Sequence, residues 1–88
     1  MNDQERTYDV LLLGRRLKLR SRESEAHIQR VVSFTERTIS EIMLASRHIT
    51  YETAVSAVAL RFAEEMLALQ DDVARLRREL DEHTAKKG

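Results

Sequence analysis

Residues 8–20 read Tyr-Asp-Val-Leu-Leu-Leu-Gly-Arg-Arg-Leu-Lys-Leu-Arg, and this run sets the architecture of the N-terminal part of the chain. Apolar residues precede a single glycine, and leucines alternating with bases follow it, which predicts two strands joined by a tight turn. Because glycine suits the first central position of a type II′ turn, we expect the turn at Gly14-Arg15 and Asp9 opposite Arg20. Successive side chains alternate between the two faces of a strand. One face of the hairpin is then apolar, with Tyr8, Val10, Leu12, Leu17 and Leu19.

Two helices are predicted after the hairpin. The first, over about residues 22–46, follows from apolar side chains that recur every three or four positions. The second begins after Thr50, which with Glu52 forms a helix-start signature, and extends to about residue 83. Its apolar side chains form a stripe that narrows after Phe62 to strict heptad spacing, as in a coiled coil. The stripe, which we expect to be a dimer or coiled-coil interface, consists of Val55, Val58, Phe62, Met66, Leu69, Val73, Leu76 and Leu80.

The composition indicates a small domain that associates with itself. The chain has 88 residues, of which 5% are aromatic and 34% are charged. So short a chain with so few aromatic side chains buries little apolar area on its own. The sequence therefore predicts an α+β fold, in which an N-terminal β-hairpin is followed by two α-helices and the second, longer helix ends in a coiled coil. We expect a flexible N-terminus over 1–7, a head domain over 8–65, a coiled-coil stem over 66–83 and a frayed tail over 84–88.

No catalytic, metal or cofactor site is predicted. The chain has no Cys, and its three histidines, at 27, 48 and 83, fall in different predicted elements without the spacing of metal ligands. Adjacent acids such as Glu64 and Glu65 point about 100° apart on a helix and cannot share a proton. No apolar run reaches the roughly 18 residues of a membrane span. We therefore expect a soluble cytosolic protein that is not an enzyme.

A cluster of bases on the hairpin is the candidate binding site. The net charge of the chain is zero, but residues 1–22 carry six bases against three acids. Arg15, Arg16, Lys18 and Arg20 either form a surface for an acidic partner or protect an edge strand from aggregation. A small dimeric DNA-binding regulator would use the same bases, although the neutral chain argues against nucleic acid. A coiled-coil adaptor for another cytosolic partner is a third interpretation.

The charges beside the stripe favour a parallel pair of helices. With Met66 taken as position a of the heptad, Asp72 falls at position g and Arg77 at position e. In a parallel pair these opposite charges face each other across the two chains, whereas an antiparallel pair brings like charges together. We therefore expect a parallel homotypic coiled coil.

Three segments follow one another in a recognisable order along the chain. They are the hairpin run over 8–19, residues 49–52 (Ile-Thr-Tyr-Glu), and residues 57–67 (Ala-Val-Ala-Leu-Arg-Phe-Ala-Glu-Glu-Met-Leu). Together, and with an amphipathic helix between the first two, they resemble the ZapA family of bacterial cell-division proteins. The resemblance covers nearly the whole chain.

This resemblance implies a non-enzymatic cytoplasmic protein at the mid-cell division ring, which binds the tubulin-like GTPase FtsZ and bundles its protofilaments. It implies an intertwined homodimer whose heads share hairpins and helices, and two such dimers can join through their coils into a tetramer. By position in the family pattern, Arg15 and Lys18 are implied to contact FtsZ, with Arg16 and Arg20 as further contacts. No cofactor and no membrane are implied.

Overall fold

The chain folds into a two-stranded antiparallel sheet followed by two helices. The computed structural model describes residues 4–87, the last two of them by their backbone. The elements are β1 (Arg6–Leu12), β2 (Arg15–Ser21), α1 (Glu25–Ala45) and α2 (Tyr51–Lys87). This order confirms the predicted α+β architecture of a hairpin and two helices, of which the second is the longer. The chain forms two compact units, and the boundary between them falls between Ala54 and Val55.

The hairpin turns one residue earlier than the sequence predicted. Leu13 and Gly14 both have positive φ, 48° and 84°, which is the signature of a type I′ turn with these two residues at its centre. The turn predicted at Gly14-Arg15 is therefore wrong. So is the predicted pairing of Asp9 with Arg20, because Asp9 lies opposite Lys18.

Two physical features explain this turn. A type I′ turn twists in the same sense as the strands that it joins, and glycine enters the left-handed region without steric cost. Leucine does not favour that region, but the backbone N–H of Leu13 donates a hydrogen bond of 2.9 Å to Glu36 Oε2 on α1. A charge-assisted bond of this kind offsets part of the cost of the leucine conformation.

The side chains of the hairpin stay on their predicted faces despite the change of register. The pairing moves by two residues along β2, and side chains alternate with a period of two, so each one stays on its predicted side. We call the apolar side the inner face and the opposite side the outer face. The inner face carries Tyr8, Val10, Leu12, Arg15, Leu17 and Leu19. The outer face carries Thr7, Asp9, Leu11, Arg16, Lys18 and Arg20.

Helix α1 covers only the β1 half of the inner face. It packs against β1 and, among residues 4–87, makes no comparable contact with β2. Val10 on β1 is only 8% exposed, and Ile28 and Ile39 of α1 are buried. By contrast, Leu17 and Leu19 on β2 are 49% and 37% exposed. The single chain therefore leaves half of its apolar sheet face in contact with water.

Side-chain hydrogen bonds fix the starts of both helices. Ser24 is the N-cap of α1, and its hydroxyl accepts a bond of 3.1 Å from the backbone N–H of His27. The hydroxyl of Thr50 accepts a bond of 3.1 Å from the N–H of Thr53 at the start of α2, as the sequence predicted for Thr50. The hydroxyl of Tyr8 also donates a bond of 2.7 Å to the carbonyl of Glu23, which ties β1 to the segment before α1.

The element bounds differ from the prediction near both ends of the chain. β1 begins at Arg6, so residues 6 and 7 belong to the hairpin and not to a flexible N-terminus. α2 continues to Lys87, through residues for which a frayed tail over 84–88 was predicted. Alanine and lysine are strong helix formers, so a helix can continue there without apolar contacts. Residues 1–3 and 88 lie outside the described residues, and the division into a head and a stem stays a prediction.

Candidate partner-binding surface

The hairpin divides the four bases of the predicted site between its two faces. Arg15 lies opposite Leu12 on the inner face, whereas Arg16, Lys18 and Arg20 lie on the outer face. The sequence predicted one cationic cluster, because the four bases lie within six consecutive positions of one strand. Alternation along that strand instead gives Arg15 surroundings that the other three do not share.

Arg15 is held by the first residues of α2. Its guanidinium carbon lies 3.9 Å from the centroid of the Tyr51 ring, a cation–π contact. Its Nη2 atom is also 4.0 Å from Glu52 Oε2, and both side chains of this ion pair are more than half exposed. The ring contact is the stronger constraint, since ion pairs between exposed side chains contribute little. The tip of the hairpin is thereby joined to the start of α2.

Sequence reasoning did not find Tyr51 and Glu52 as neighbours of Arg15. Both residues were used only as markers of a helix start, and no local pattern links them to a strand so far away along the chain. A base on the inner side of a hairpin was the available signal, because a buried or half-buried cation needs an acidic or aromatic partner.

Two of the three outer bases are paired within the hairpin segment. Lys18 Nζ lies 3.1 Å from Asp9 Oδ1, and Arg20 Nη2 lies 3.2 Å from Glu5 Oε1. These pairs are exposed to solvent, so they lower the local positive charge more than they stabilise the fold. Within residues 4–87, Arg16 forms no ion pair. Arg16 is therefore the outer base with the most charge available to a partner.

The apolar stripe of α2 changes character along its length. Val58 is buried, and Val55 and Phe62 are partly exposed. The five residues that follow in the stripe are all exposed, and they are Met66, Leu69, Val73, Leu76 and Leu80. An exposed heptad stripe flanked by charged residues is typical of a helix that coils with another helix.

One charge beside the stripe has a partner within its own helix. Asp72 Oδ1 accepts a bond of 3.2 Å from Arg75 Nη1, and Arg75 Nε also lies 3.6 Å from Glu79 Oε2. Asp72 was predicted to face Arg77 of a second chain. In a parallel coiled coil Arg75 and Arg77 would compete for the same carboxylate, so the direction of the coil stays a prediction.

The titratable side chains and the long helices determine whether the described residues can form a metal site or a membrane span. Among the described residues, no group of three or more His, Asp or Glu side chains is placed to hold a metal ion. His27 Nε2 lies 4.0 Å from Glu23 Oε1, and both side chains are exposed. Neither of the long helices over residues 25–45 and 51–87 is apolar enough to cross a bilayer.

Comparison with known proteins gives a consistent assignment. The family model of "Cell division protein ZapA" matches residues 8–87. Among curated proteins, no sequence matches the chain. The chain is similar to a solved structure, a ZapA mutant dimer from Geobacillus stearothermophilus, with 26% sequence identity and a TM-score of 0.79. That similarity covers 92% of this chain and 95% of the other. Because the family model extends from β1 to the end of α2, the chain belongs to the ZapA family of cell division proteins.

Proposed function

We propose that this chain is a non-enzymatic scaffold of bacterial cell division, which binds FtsZ and cross-links its protofilaments at the division ring in the cytoplasm. The observation that carries the proposal is the match to the ZapA family over residues 8–87. The basic hairpin supports it, because a cationic surface attracts an acidic partner over distances up to about a Debye length.

The uncovered half of the hairpin supports a homodimer. Leu17 and Leu19 lie on the inner face of β2 and are more than a third exposed. Full burial of a leucine side chain contributes about 1.5–3 kcal/mol of favourable free energy. Burial of both leucines against a second copy of the chain would therefore stabilise a homodimer. The similar structure from Geobacillus stearothermophilus is described as a dimer. In the proposed homodimer, hairpins and helices of two chains share one apolar core.

The exposed stripe of α2 supports a second contact between chains. Two chains of the homodimer extend their helices as a coiled coil through the residues from Met66 to Leu80. Two dimers joined through these coils would form a tetramer with a head at each end. The mass of the protein in solution distinguishes the dimer from the tetramer.

Cross-linking then follows from having two binding surfaces in one particle. We propose that each hairpin contacts FtsZ through Arg15, Arg16, Lys18 and Arg20. Once one hairpin is bound, the second meets a neighbouring protofilament at a raised effective concentration, so avidity increases without a new kind of contact. A particle with two such surfaces gathers filaments into bundles.

Co-sedimentation with polymerised FtsZ tests this function. The wild-type protein is expected in the pellet with FtsZ polymers and in the supernatant without them, and the polymer suspension should scatter more light as bundles form. Absence of the wild-type protein from the pellet would overturn the proposal. A salt titration should weaken the binding, because the contact is electrostatic.

Charge-reversal variants test the assigned residues. The double variant Arg15→Glu/Lys18→Glu is expected to stay in the supernatant. The matched control Arg30→Glu/Arg78→Glu changes the net charge equally at two exposed positions outside the hairpin and should pellet as the wild type does. Circular dichroism checks that the helices persist, since Arg15 also contacts Tyr51. If both double variants pellet to the same extent, the hairpin bases do not contact FtsZ.

The alternative of a DNA-binding regulator gains no support from the surface. Phosphate binding favours several unpaired bases on one face, but Lys18 and Arg20 are each paired with an acid. A mobility shift of duplex DNA that disappears steeply with added salt would be the result that favours this alternative.

A further inference from the structure

We propose that the outer face of the hairpin, centred on Leu11 and Arg16, docks an acidic segment of the partner protein that also carries an apolar side chain. This inference rests on the proposed function, because the partner in question is the filament that the scaffold binds. It goes further by assigning the contact to one face of the hairpin and by including an apolar residue in it.

Leu11 is the first observation that carries the inference. The side chain is 56% exposed, whereas its neighbour Val10, on the inner face of the same strand, is 8% exposed. The outer side of a two-stranded sheet normally carries polar residues, since it faces water. A leucine there, surrounded by charged residues, is an apolar contact point that the described residues leave more than half exposed.

The position of Arg16 beside Leu11 is the second observation that supports the inference. It lies directly opposite Leu11 in the ladder, so the two side chains emerge about 4.5–5.5 Å apart at their Cβ atoms. Both residues line one surface groove together with Asp9 and Lys18. A guanidinium without an ion pair can take both oxygens of an incoming carboxylate, and no bond within the hairpin must break first.

The combination of an exposed leucine and an arginine without an ion pair on one face indicates which kind of partner binds there. A carboxylate that binds Arg16 brings a peptide within reach of Leu11, and an apolar side chain of that peptide can then cover the leucine. A nucleic-acid backbone offers the charge but has no apolar group on its phosphates, and it would meet Asp9 on the same face. A second copy of this chain is already assigned to the inner face, where Leu17 and Leu19 are uncovered.

Arg15 acts differently in this arrangement. Its contacts with Tyr51 and Glu52 hold the start of β2 against the start of α2. Arg15 is therefore a positioning residue for the outer face as well as one of the four bases proposed to contact the filament. Its loss should lower stability as well as binding, whereas loss of Arg16 should lower binding alone.

The experiment measures binding of the full-length chain to polymerised FtsZ over a range of protein concentrations. Arg16→Glu is expected to raise the apparent Kd about tenfold or more, because a charge at the contact is reversed. Leu11→Thr introduces a β-branched residue, which strands favour, and is expected to raise the apparent Kd about fivefold, since an apolar contact is lost. Added salt should reduce the effect of Arg16→Glu and leave that of Leu11→Thr nearly unchanged.

Matched controls use the same substitutions elsewhere. Leu44→Thr changes a leucine of α1 that is 83% exposed, and Arg78→Glu reverses an exposed base of α2. Both are expected to bind as the wild type does. Unfolding midpoints of all four variants within a few degrees of the wild type exclude a general loss of structure.

The possible outcomes separate this inference from the function on which it rests. If the wild-type protein does not pellet with FtsZ, the proposed function fails. If the wild type pellets and the Leu11 and Arg16 variants bind equally well, the function stands and the inference is overturned. A smaller particle mass for these two variants by light scattering would also overturn it, because the outer face would then be an interface between copies.

Discussion

The guanidinium of Arg15 lies over the ring of Tyr51, with 3.9 Å between its Cζ atom and the ring centroid. This contact joins the first residue of β2 to the first residue of α2, and in the sequence the rest of β2, helix α1 and two loops lie between them. The base that we propose as a contact for the partner thus also makes a contact within the chain. Binding and stability are therefore expected to change together at this position.

A double-mutant cycle measures the contact between Arg15 and Tyr51. We expect the single variants Arg15→Gln and Tyr51→Leu each to lower the free energy of unfolding, with a coupling energy of about 0.5–1 kcal/mol between them. Urea unfolding followed by circular dichroism gives the four values. The matched cycle with Glu52→Gln should give a smaller coupling, because that ion pair is more exposed. Strictly additive effects of Arg15→Gln and Tyr51→Leu would contradict the contact.

The left-handed backbone at Gly14 predicts a specific order of variants. Its φ is 84°, and a Cβ atom added there would have nothing within 4 Å, so any cost of substitution comes from the backbone. Gly14→Ala should lower the free energy of unfolding by about 1–2 kcal/mol. Gly14→Asn should lower it less, because asparagine tolerates the left-handed region. An asparagine variant as unstable as the alanine variant would show that the turn has another shape.

Glu36 is expected to stabilise the turn through a single hydrogen bond. Its Oε2 atom accepts the N–H of Leu13 at 2.9 Å. Glu36→Ala should lower the free energy of unfolding by about 1–3 kcal/mol, since it removes the charged partner of a turn N–H. Glu36→Gln, which keeps an acceptor, should cost less. Glu41→Ala, at an exposed position of the same helix, is the control, and a loss as large as that of Glu36→Ala would indicate an effect of helix composition instead.

The heptad stripe predicts which leucines of α2 hold chains together. The double variant Leu69→Asp/Leu76→Asp should reduce the particle mass measured by light scattering if two coils join dimers, and it should lower the thermal stability of the coil in a dimer. Leu67→Asp is the matched control, because Leu67 is as exposed as its neighbours but lies outside the stripe. If Leu67→Asp lowers the particle mass and the thermal stability as much as Leu69→Asp/Leu76→Asp does, the assignment of the interface is wrong.

Patterns that repeat along the chain predicted most of the fold. The period of two in residues 8–20 gave the correct faces of the hairpin even though the turn was misplaced, since an error of two residues leaves every side chain on its side. The turn itself depended on Glu36, which lies on another element and stabilises a conformation that leucine does not favour alone. No local signal in residues 12–15 reveals that bond.

The sequence predicted which strand carries the candidate site, but it did not predict which side chains of that strand share a surface. Four bases at consecutive and alternating positions point to a cationic strand, but alternation places Arg15 on one face and Arg16 on the other. The partner of Arg15 depends on where α2 begins in space, which spacing along the chain does not encode. Alternation along β1 does place Leu11 on the same face as the outer bases, and the side chain is 56% exposed there.

The uncovered leucines of β2 have a consequence for how stability is measured. Leu17 and Leu19 remain in water until another molecule covers them, so folding and association form one equilibrium governed by mass action. The midpoint of thermal unfolding should therefore rise with the total protein concentration. A cell that dilutes this protein, or makes less of it, would lose folded material as well as assembled material.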